Sequence, residues 1–481
     1  MTKEATKIEI TEEAQPIAEQ TEAVTENAEE EAVEEQSAEA DVPADKRGAA
    51  EEATPAMRWL VALLRVVTGG VFIFSGFVKA IDPWGGYYKF QEYFLALGLN
   101  SLYGISLFAA FSIAFVELML GVSLLLGLYR RSAPVLALAM MAVMLPMTLY
   151  LAVTDAVADC GCFGDALVMS NWVTFLKNIV LTVLLFLLLK HNRKLPSVYG
   201  PAVQWVVLFL TFVTGLVIAL NGYFNQPMLD FRPFPVGSHF EVAPAPSDED
   251  YTFIYSKDGE EREFALDEVP DEDSGWTFVD RRQKTESLSP AQLKSRQSLS
   301  ILDEGDDVTA TALDPERRQL LYLFPDLKNV SISYTFLINE LTEKAHLQDI
   351  DVYGITSGTR QEMDEWNDIS LAGYPLYTAD DSDIKMLARG NPAVVYVERG
   401  VVKWKRTLSS IRSTMLDDPE LTVDKMAPSG ATSGLMKIIF WLFVVPMLVL
   451  LAINRGFLLF GFLGRKHKNS ENNATFADEN E

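Results

Sequence analysis

Residues 59–80 read WLVALLRVVTGGVFIFSGFVKA, an almost unbroken apolar run of 22 residues with one arginine inside it and one lysine near its end. A helix of that length crosses a hydrocarbon core of about 30 Å. Five further runs are long enough, or nearly so: 104–128, 133–154, 172–189, 201–220 and 435–453. A single short apolar run reads equally well as a buried core helix, but six in one chain of 481 residues define an integral membrane protein. The average composition hides this. Hydrophobic residues make up 49%, because strongly apolar blocks alternate with strongly polar ones.

Loop charges set the expected orientation. Tyr129-Arg130-Arg131, then Lys190 to Lys194, then Arg465-Lys466-His467-Lys468 recur at every second loop, so all three can face the cytoplasm together with Arg58. The loop 155–171 and the large insert 222–434 then face outward. Residues 1–56 are expected to form a disordered, acidic cytoplasmic tail. Residues 1–55 hold 17 acidic and 4 basic residues and few apolar anchors. This start lacks the basic, then apolar, pattern of a cleavable signal. A net charge of −26 argues against nucleic acid as a partner, since phosphates require basic patches.

The insert is expected to carry a β-rich region over 225–312, with a hairpin at 251–266. From about residue 314 strand and helix alternate. Strands are expected at Leu320–Phe324, Ile350–Ile355 and Tyr374–Tyr377, and a hairpin at Ala393–Val397 and Val401–Trp404. Helices are expected at Ile332–Gln348, Gln361–Ile369 and Asp381–Ala388, the first with Phe336, Leu337, Leu341 and Ala345 on its apolar face. That order implies helices against a mixed central sheet over 313–416. Residues 417–434 read as a linker, 196–224 and 435–464 as the fifth and sixth spans with their flanks, and 465–481 as a cytoplasmic tail.

The only two cysteines, Cys160 and Cys162, sit in Asp159-Cys160-Gly161-Cys162-Phe163-Gly164 just before the fourth span. Outside the cytosol such thiols can persist as a disulfide. The ring is tight, and Gly161 permits the turn it needs. One reading is an exposed redox pair; the others are a structural turn and a metal site. The metal site needs two more ligands, and no His or Cys lies nearby in sequence. Asp155, Asp159 and Asp165 crowd the thiols and disfavour thiolate. Arg65 and Glu117 each sit deep in a span, where a charge costs roughly 2.5–3.5 kcal/mol. Both are expected to face the bundle interior and can pair with each other, either as a polar site for a quinone, a proton or a partner, or as a pair that fixes helix register. Lys177 lies about one turn into the fourth span and either meets an acidic loop residue or reaches the interface. Snorkelling accounts for Lys79 and Lys89.

Arg65, Gly69-Gly70, Phe74 to Lys79, Glu117, Gly121, Gly127-Leu128, Cys160 to Gly164 and Lys177-Asn178 together resemble the four-helix DoxX/MauE-type membrane domain over 57–195. The CGCFG motif is closer to MauE, the methylamine-utilisation membrane protein. MauE-type proteins are implicated in maturing a disulfide-rich periplasmic enzyme, and DoxX-type proteins are associated with quinone-linked oxidation. The resemblance implies a redox role for Cys160 and Cys162, and membership of the polar core for Arg65 and Glu117. Residues 314–412 resemble a thioredoxin-like fold, with Asn391-Pro392 where such folds place a cis-proline, but Phe324 to Ser331 holds no Cys-X-X-Cys. The whole arrangement is similar to DoxX-family proteins of Bacteroidetes-type Gram-negative bacteria, which implies an inner-membrane protein with 225–434 in the periplasm.

The expected architecture is therefore a membrane all-α bundle of about six helices, the first four DoxX/MauE-like, plus an α/β thioredoxin-like extracytoplasmic domain. The expected function is assistance to periplasmic thiol–disulfide chemistry or protein maturation through Cys160 and Cys162. A non-enzymatic envelope scaffold and a quinone-linked oxidoreductase subunit are the alternatives. Partners are the lipid bilayer and a periplasmic client or thiol-redox protein. No cofactor is evident beyond a possible quinone.

Overall fold

A computed structural model describes residues 54–240, 251–257, 260–265, 269–270, 275–283, 299–428 and 431–456. Most of the stretch read as a disordered tail, and the basic cluster at 465–468, lie outside the described residues.

Among the described residues, six helices are long and apolar enough to cross a membrane: Pro55–Ile81, Asn100–Leu126, Ser132–Thr154, Asn171–Lys194, Pro201–Phe224 and Ser433–Gly456. The chain is a multi-pass membrane protein. Each span contains one of the expected runs, except that the second ends two residues short of the run 104–128. We name the helices α1 (Pro55–Ile81), α2 (Pro83–Ala96), α3 (Ser106–Leu126), α4 (Ser132–Thr154), α5 (Asn171–His191) and α6 (Gln204–Phe224). The sequence reading missed α2. Its start is chemically explicit: Asp82 caps it by accepting from the Gly85 amide at 2.9 Å, and Pro83 opens the first turn.

Helices α1 and α3 pack so closely that only glycine fits between them. A Cβ on Gly76 would lie 2.4 Å from the Leu118 nitrogen, and one on Gly121 2.4 Å from the Ile73 nitrogen. These are backbone contacts, and small residues at such positions are what brings helices together in lipid. Gly121→Val is therefore expected to cost about 1–3 kcal/mol by overpacking, measured as a fall in the thermal midpoint of the detergent-solubilised protein.

Beyond α6 the chain builds two sheets. The smaller has the order β2-β1-β3, from Tyr251–Lys257 (β1), Glu260–Phe264 (β2) and Thr277–Gln283 (β3). The expected hairpin at 251–266 is its β1–β2 pair. The larger sheet contains β4 (Ile301–Asp303), β5 (Asp306–Asp307), β6 (Arg318–Phe324), β7 (Asp351–Thr356), β8 (Leu376–Ala379), β9 (Ala393–Glu398) and β10 (Val401–Thr407), in the order β10-β9-β6-β7-β8-β4-β5. Strands β6, β7 and β8 are parallel, and β9 and β10 return antiparallel. The Asn391–Pro392 peptide before β9 is cis.

Strand β6 is apolar from Leu320 to Phe324 because both of its faces are covered there. Leu320, Tyr322 and Phe324 face a core built with α7 (Tyr334–His346) and α8 (Arg360–Ser370). Leu321 and Leu323 face a second core with α9 (Asp381–Leu387) and with Phe234 and Phe240 from the segment after α6. One expectation needs correction. The buried face of α7 is Ile338, Leu341, Thr342 and Ala345, at the spacing of one helical face, whereas Phe336 is 71% exposed. Val423 and Met426, in the stretch read as a linker, are buried in the first core.

The segment after α6 also supplies a buried charge cluster. Asp230 accepts from the Arg232 Nε at 2.7 Å and from the Lys405 ammonium at 3.0 Å. Burial alone would raise the Asp230 carboxyl, but Arg232 and Lys405 hold it well below the usual carboxylate range. Its stabilising contribution is thus complete above pH values near 4 to 5 and is lost as the pH falls through the lowered value. Acid unfolding of this domain should be shallower in Asp230→Asn than in the parent chain, followed by tryptophan fluorescence between pH 6 and pH 2, roughly the range over which such linkage acts.

Candidate functional site

The loop between α4 and α5 returns the cysteines to the bundle. Gly161 takes a left-handed conformation, φ +56°, and the Gly161 amide donates to the Asp159 carboxylate at 2.6 Å. A tight turn results that brings the Cys160 and Cys162 sulfurs into direct contact, with Cα atoms 5.5 Å apart. That separation is one a disulfide spans. The sulfurs are not exposed as expected, since Cys160 and Cys162 are 6% and 7% accessible.

Two helices hold the turn by its backbone. From α1, the Ser75 hydroxyl and the Lys79 ammonium both donate to the Cys162 carbonyl, at 2.6 and 2.7 Å. From α2, the Tyr93 hydroxyl donates to the Cys160 carbonyl. Burial, followed by the nearby Asp159, pushes the Tyr93 hydroxyl up, so it remains a donor. Lys89 sits between Glu92, at 2.7 Å, and Asp159, at 3.5 Å. Burial would lower its ammonium, but Asp159 and Glu92 reverse the direction and keep it charged.

Glu117 does not pair with Arg65. Its carboxylate lies 2.7 Å from the Lys79 ammonium. Helices α1 and α3 run antiparallel, with Gly76 against Leu118 and Gly69 against Leu125, so the register puts Lys79 opposite Glu117. Arg65 is 14 residues, about 21 Å of helix, from Lys79. It ties the opposite end of the bundle, donating to the Asn192 side chain at 2.8 Å and to the Asn192, Leu195 and Pro196 carbonyls at 3.0, 2.7 and 2.8 Å. Lys79 is likewise not a snorkelling residue. Among the described residues Lys177 meets no acidic loop residue: its ammonium stands 4.2 Å from the centre of the Phe163 ring.

A cavity of about 510 Å³ opens above the sulfurs, lined by Lys79, Tyr93, Glu117, Cys160, Cys162 and Arg389 among others. Most of its wall is apolar and aromatic, from α2, α4 and the segment 227–233. A second, smaller cavity of about 30 Å³ lies behind Cys162 and is shared by Ser75, Glu117, Phe163, Lys177 and Asn178. Cys160, Cys162, Glu117 and Lys177 are therefore gathered in one region, from which Arg65 is absent.

Arg389, just beyond α9, closes the large cavity from the sheet domain. It contacts Asp82 at 2.8 Å and Asp165 at 2.6 Å, the second of these three residues past Cys162. Burial would lower its guanidinium, and the two carboxylates more than offset this and keep it charged. Gln226 fixes the same residue through its backbone, accepting from the Arg389 amide at 2.9 Å and donating to its carbonyl at 2.6 Å. Asp155, Asp159 and Asp165 thus do not crowd the thiols as free charges. They are bound by Asn171, by Gly161 and Lys89, and by Arg389. Among the described residues, no group of three or more His, Cys, Asp or Glu side chains is placed to hold a metal ion.

Residues 57–191 match the family model of the methylamine utilisation protein MauE. With its helices and CGCFG turn, this part of the chain is a DoxX/MauE-type membrane domain. Residues 249–286, around the small sheet, match a domain of unknown function (DUF8463). No curated protein and no solved structure matches the chain.

Proposed function

We propose that this protein is a membrane thiol–disulfide factor, an inner-membrane participant in protein maturation outside the cytosol whose working group is the Cys160/Cys162 pair. The observation that carries this reading is the contact of the chain's only two cysteine sulfurs on the wall of a ligand-sized, largely apolar cavity. As a disulfide, the pair accepts two electrons and two protons from a client dithiol, which becomes a disulfide. The reduced pair then passes two electrons and two protons to a lipid-soluble acceptor of the quinone class, which becomes a quinol. The apolar wall suits such an acceptor.

The sheet domain, on this proposal, is a cysteine-free thioredoxin-like module that presents clients. Its support is the strand order, in which parallel β7-β6 is followed by antiparallel β9-β10. It has no thiol of its own and cannot exchange disulfides. The extracytoplasmic placement of the cysteine loop and of 225–434 draws support from the basic loops 129–131 and 190–194, which meet at the Arg65 end of the bundle, where Arg130 donates to the Arg193 carbonyl at 3.3 Å.

The test is to trap the cysteine redox state in intact cells with a membrane-impermeant thiol reagent, alongside complementation of a deletion by Cys160→Ser, Cys162→Ser and the double variant. We expect a mixed thiol and disulfide population reached from outside, and no complementation. Full complementation by the double variant would end the redox reading, and labelling solely from the cytoplasmic side would reverse the topology.

A further inference from the structure

The two sulfurs do not face the same charges, and we propose that this divides their labour. Cys160 is the sulfur attacked by an incoming thiol. Cys162 is the sulfur that leaves and is held as a thiolate by the half-buried positive charge of Lys177. The inference rests on the redox reading above.

Each element packed around the turn contributes to the asymmetry. Behind Cys162, α1 supplies Lys79, α3 supplies Glu117 and α5 supplies Lys177, and Glu117, Lys177 and Cys162 line one small cavity. Lys79 and Glu117 neutralise each other at 2.7 Å. Lys177 has no carboxylate within ion-pair distance among the described residues and rests over the Phe163 ring, so one positive charge is left in excess. On the Cys160 side, α2 supplies Lys89, Glu92 and Tyr93, and the loop supplies Asp159. Lys89 is shared by the two carboxylates, which leaves one negative charge in excess. Asp82, Asp165 and Arg389 form a third group, at the mouth of the cavity that both cysteines line. Asp155 is bound by Asn171 at 3.2 Å.

A charge within a few ångströms favours an opposite charge, more strongly where water is excluded. A lysine beside a cysteine favours thiolate, and the better leaving sulfur is the one more stable as an anion. A client thiolate attacks the Cys160 sulfur, and the new sulfur–sulfur bond forms as the Cys160–Cys162 bond breaks. The electron pair of the broken bond goes to Cys162. The client's second thiolate then attacks the client sulfur of the mixed disulfide, releasing the client disulfide and the Cys160 thiolate, which takes up a proton. Both cysteines line the large cavity, where a client can enter, and Cys162 is backed in addition by the small one, which holds Glu117 and Lys177. Lys177 acts through Cys162 and is a positioning residue.

The test uses the full-length, detergent-solubilised protein. Cys160→Ser leaves Cys162 alone, and Cys162→Ser leaves Cys160 alone. Each is alkylated with iodoacetamide across a pH series and read by mass, with Lys177 intact, as Lys177→Met and as Lys177→Arg. We expect the Cys162 midpoint to lie at least about one pH unit below that of Cys160, a tenfold difference in thiolate at a given pH. Lys177→Met should move the Cys162 midpoint upward and leave Cys160 in place, and Lys177→Arg should preserve the parent value. Equal midpoints, a lower midpoint for Cys160, or an equal shift of both cysteines in Lys177→Met would overturn the assignment. If Lys177→Met does not fold, the parent midpoints and Lys177→Arg still decide. Complementation by the double serine variant would defeat the redox reading without touching this charge asymmetry, so the two failures are told apart.

Discussion

Lys79→Met should destabilise the membrane domain by about 3–5 kcal/mol, the usual cost of removing one partner from a buried ion pair. Glu117 is only 3% accessible, and without Lys79 its carboxylate keeps no partner of opposite charge at contact distance. The loss extends beyond the pair, because the same ammonium bonds the Cys162 carbonyl and the Ser75 hydroxyl. The double variant Lys79→Met/Glu117→Leu is expected to recover most of the stability, since replacing both ions with apolar groups removes the stranded charge. The two thermal midpoints, measured in the same detergent, separate a stability effect from a functional one. If the double variant folds well but no longer supports the proposed cysteine chemistry, Lys79 serves the site as well as the bundle. A single Lys79→Met chain as stable as the parent would deprive the pair of its structural weight.

The second large effect is expected from Arg389→Ala, on the order of 3 kcal/mol for the loss of a buried cation with two carboxylate partners. Asp82 caps α2 and Asp165 follows the cysteine turn, so one side chain joins three separate pieces of the molecule. Hydrogen exchange in 155–170 and in the first turn of α2 should rise together in this variant, while exchange in β6 and β7 stays unchanged. Arg389→Lys should restore only part of the protection, because an ammonium cannot reproduce the forked geometry that reaches both acids. Exchange that rises only near residue 389 would mean that the bridge does not brace the cysteine turn.

What the sequence disclosed follows from how local each signal is. The six spans are legible because hydropathy is a property of consecutive residues. The strand and helix alternation of the sheet domain is legible for the same reason, with bounds shifted by a few residues. Helix α2 was hidden because Trp84-Gly85-Gly86-Tyr87-Tyr88 has two glycines and no clean apolar face, although Asp82-Pro83 is a start signal. Strands β4 and β5 were hidden by Asp303-Glu304-Gly305-Asp306-Asp307, which reads as a polar turn. In α7 the periodicity was visible, and Leu341 and Ala345 are buried as expected, but Phe336 looked like a core residue and stands exposed.

The site was legible in its parts and not in its pairing. Cys160, Cys162, Glu117 and Lys177 stand out as residue types in unusual places, and they do come together. The partner of Glu117 lies 38 residues away and depends on the register of two helices, which glycine packing sets and hydropathy does not. Arg389 lies 307 residues from Asp82, and no local pattern marks it.

The way the sheet domain is mounted limits how it can work. It is inserted between α6 and the last span, and it grips the end of α6 directly. The Thr407 hydroxyl donates to the Asn225 carbonyl at 2.7 Å and the Ser409 hydroxyl to the Phe224 carbonyl at 3.3 Å. A module on a long tether samples a wide volume at modest local concentration. One bolted at the root has no such reach and cannot commute between the bilayer and distant assemblies. If it presents clients as proposed, these must be brought to it, so delivery, rather than search by this protein, would set the pace at which the cavity is supplied.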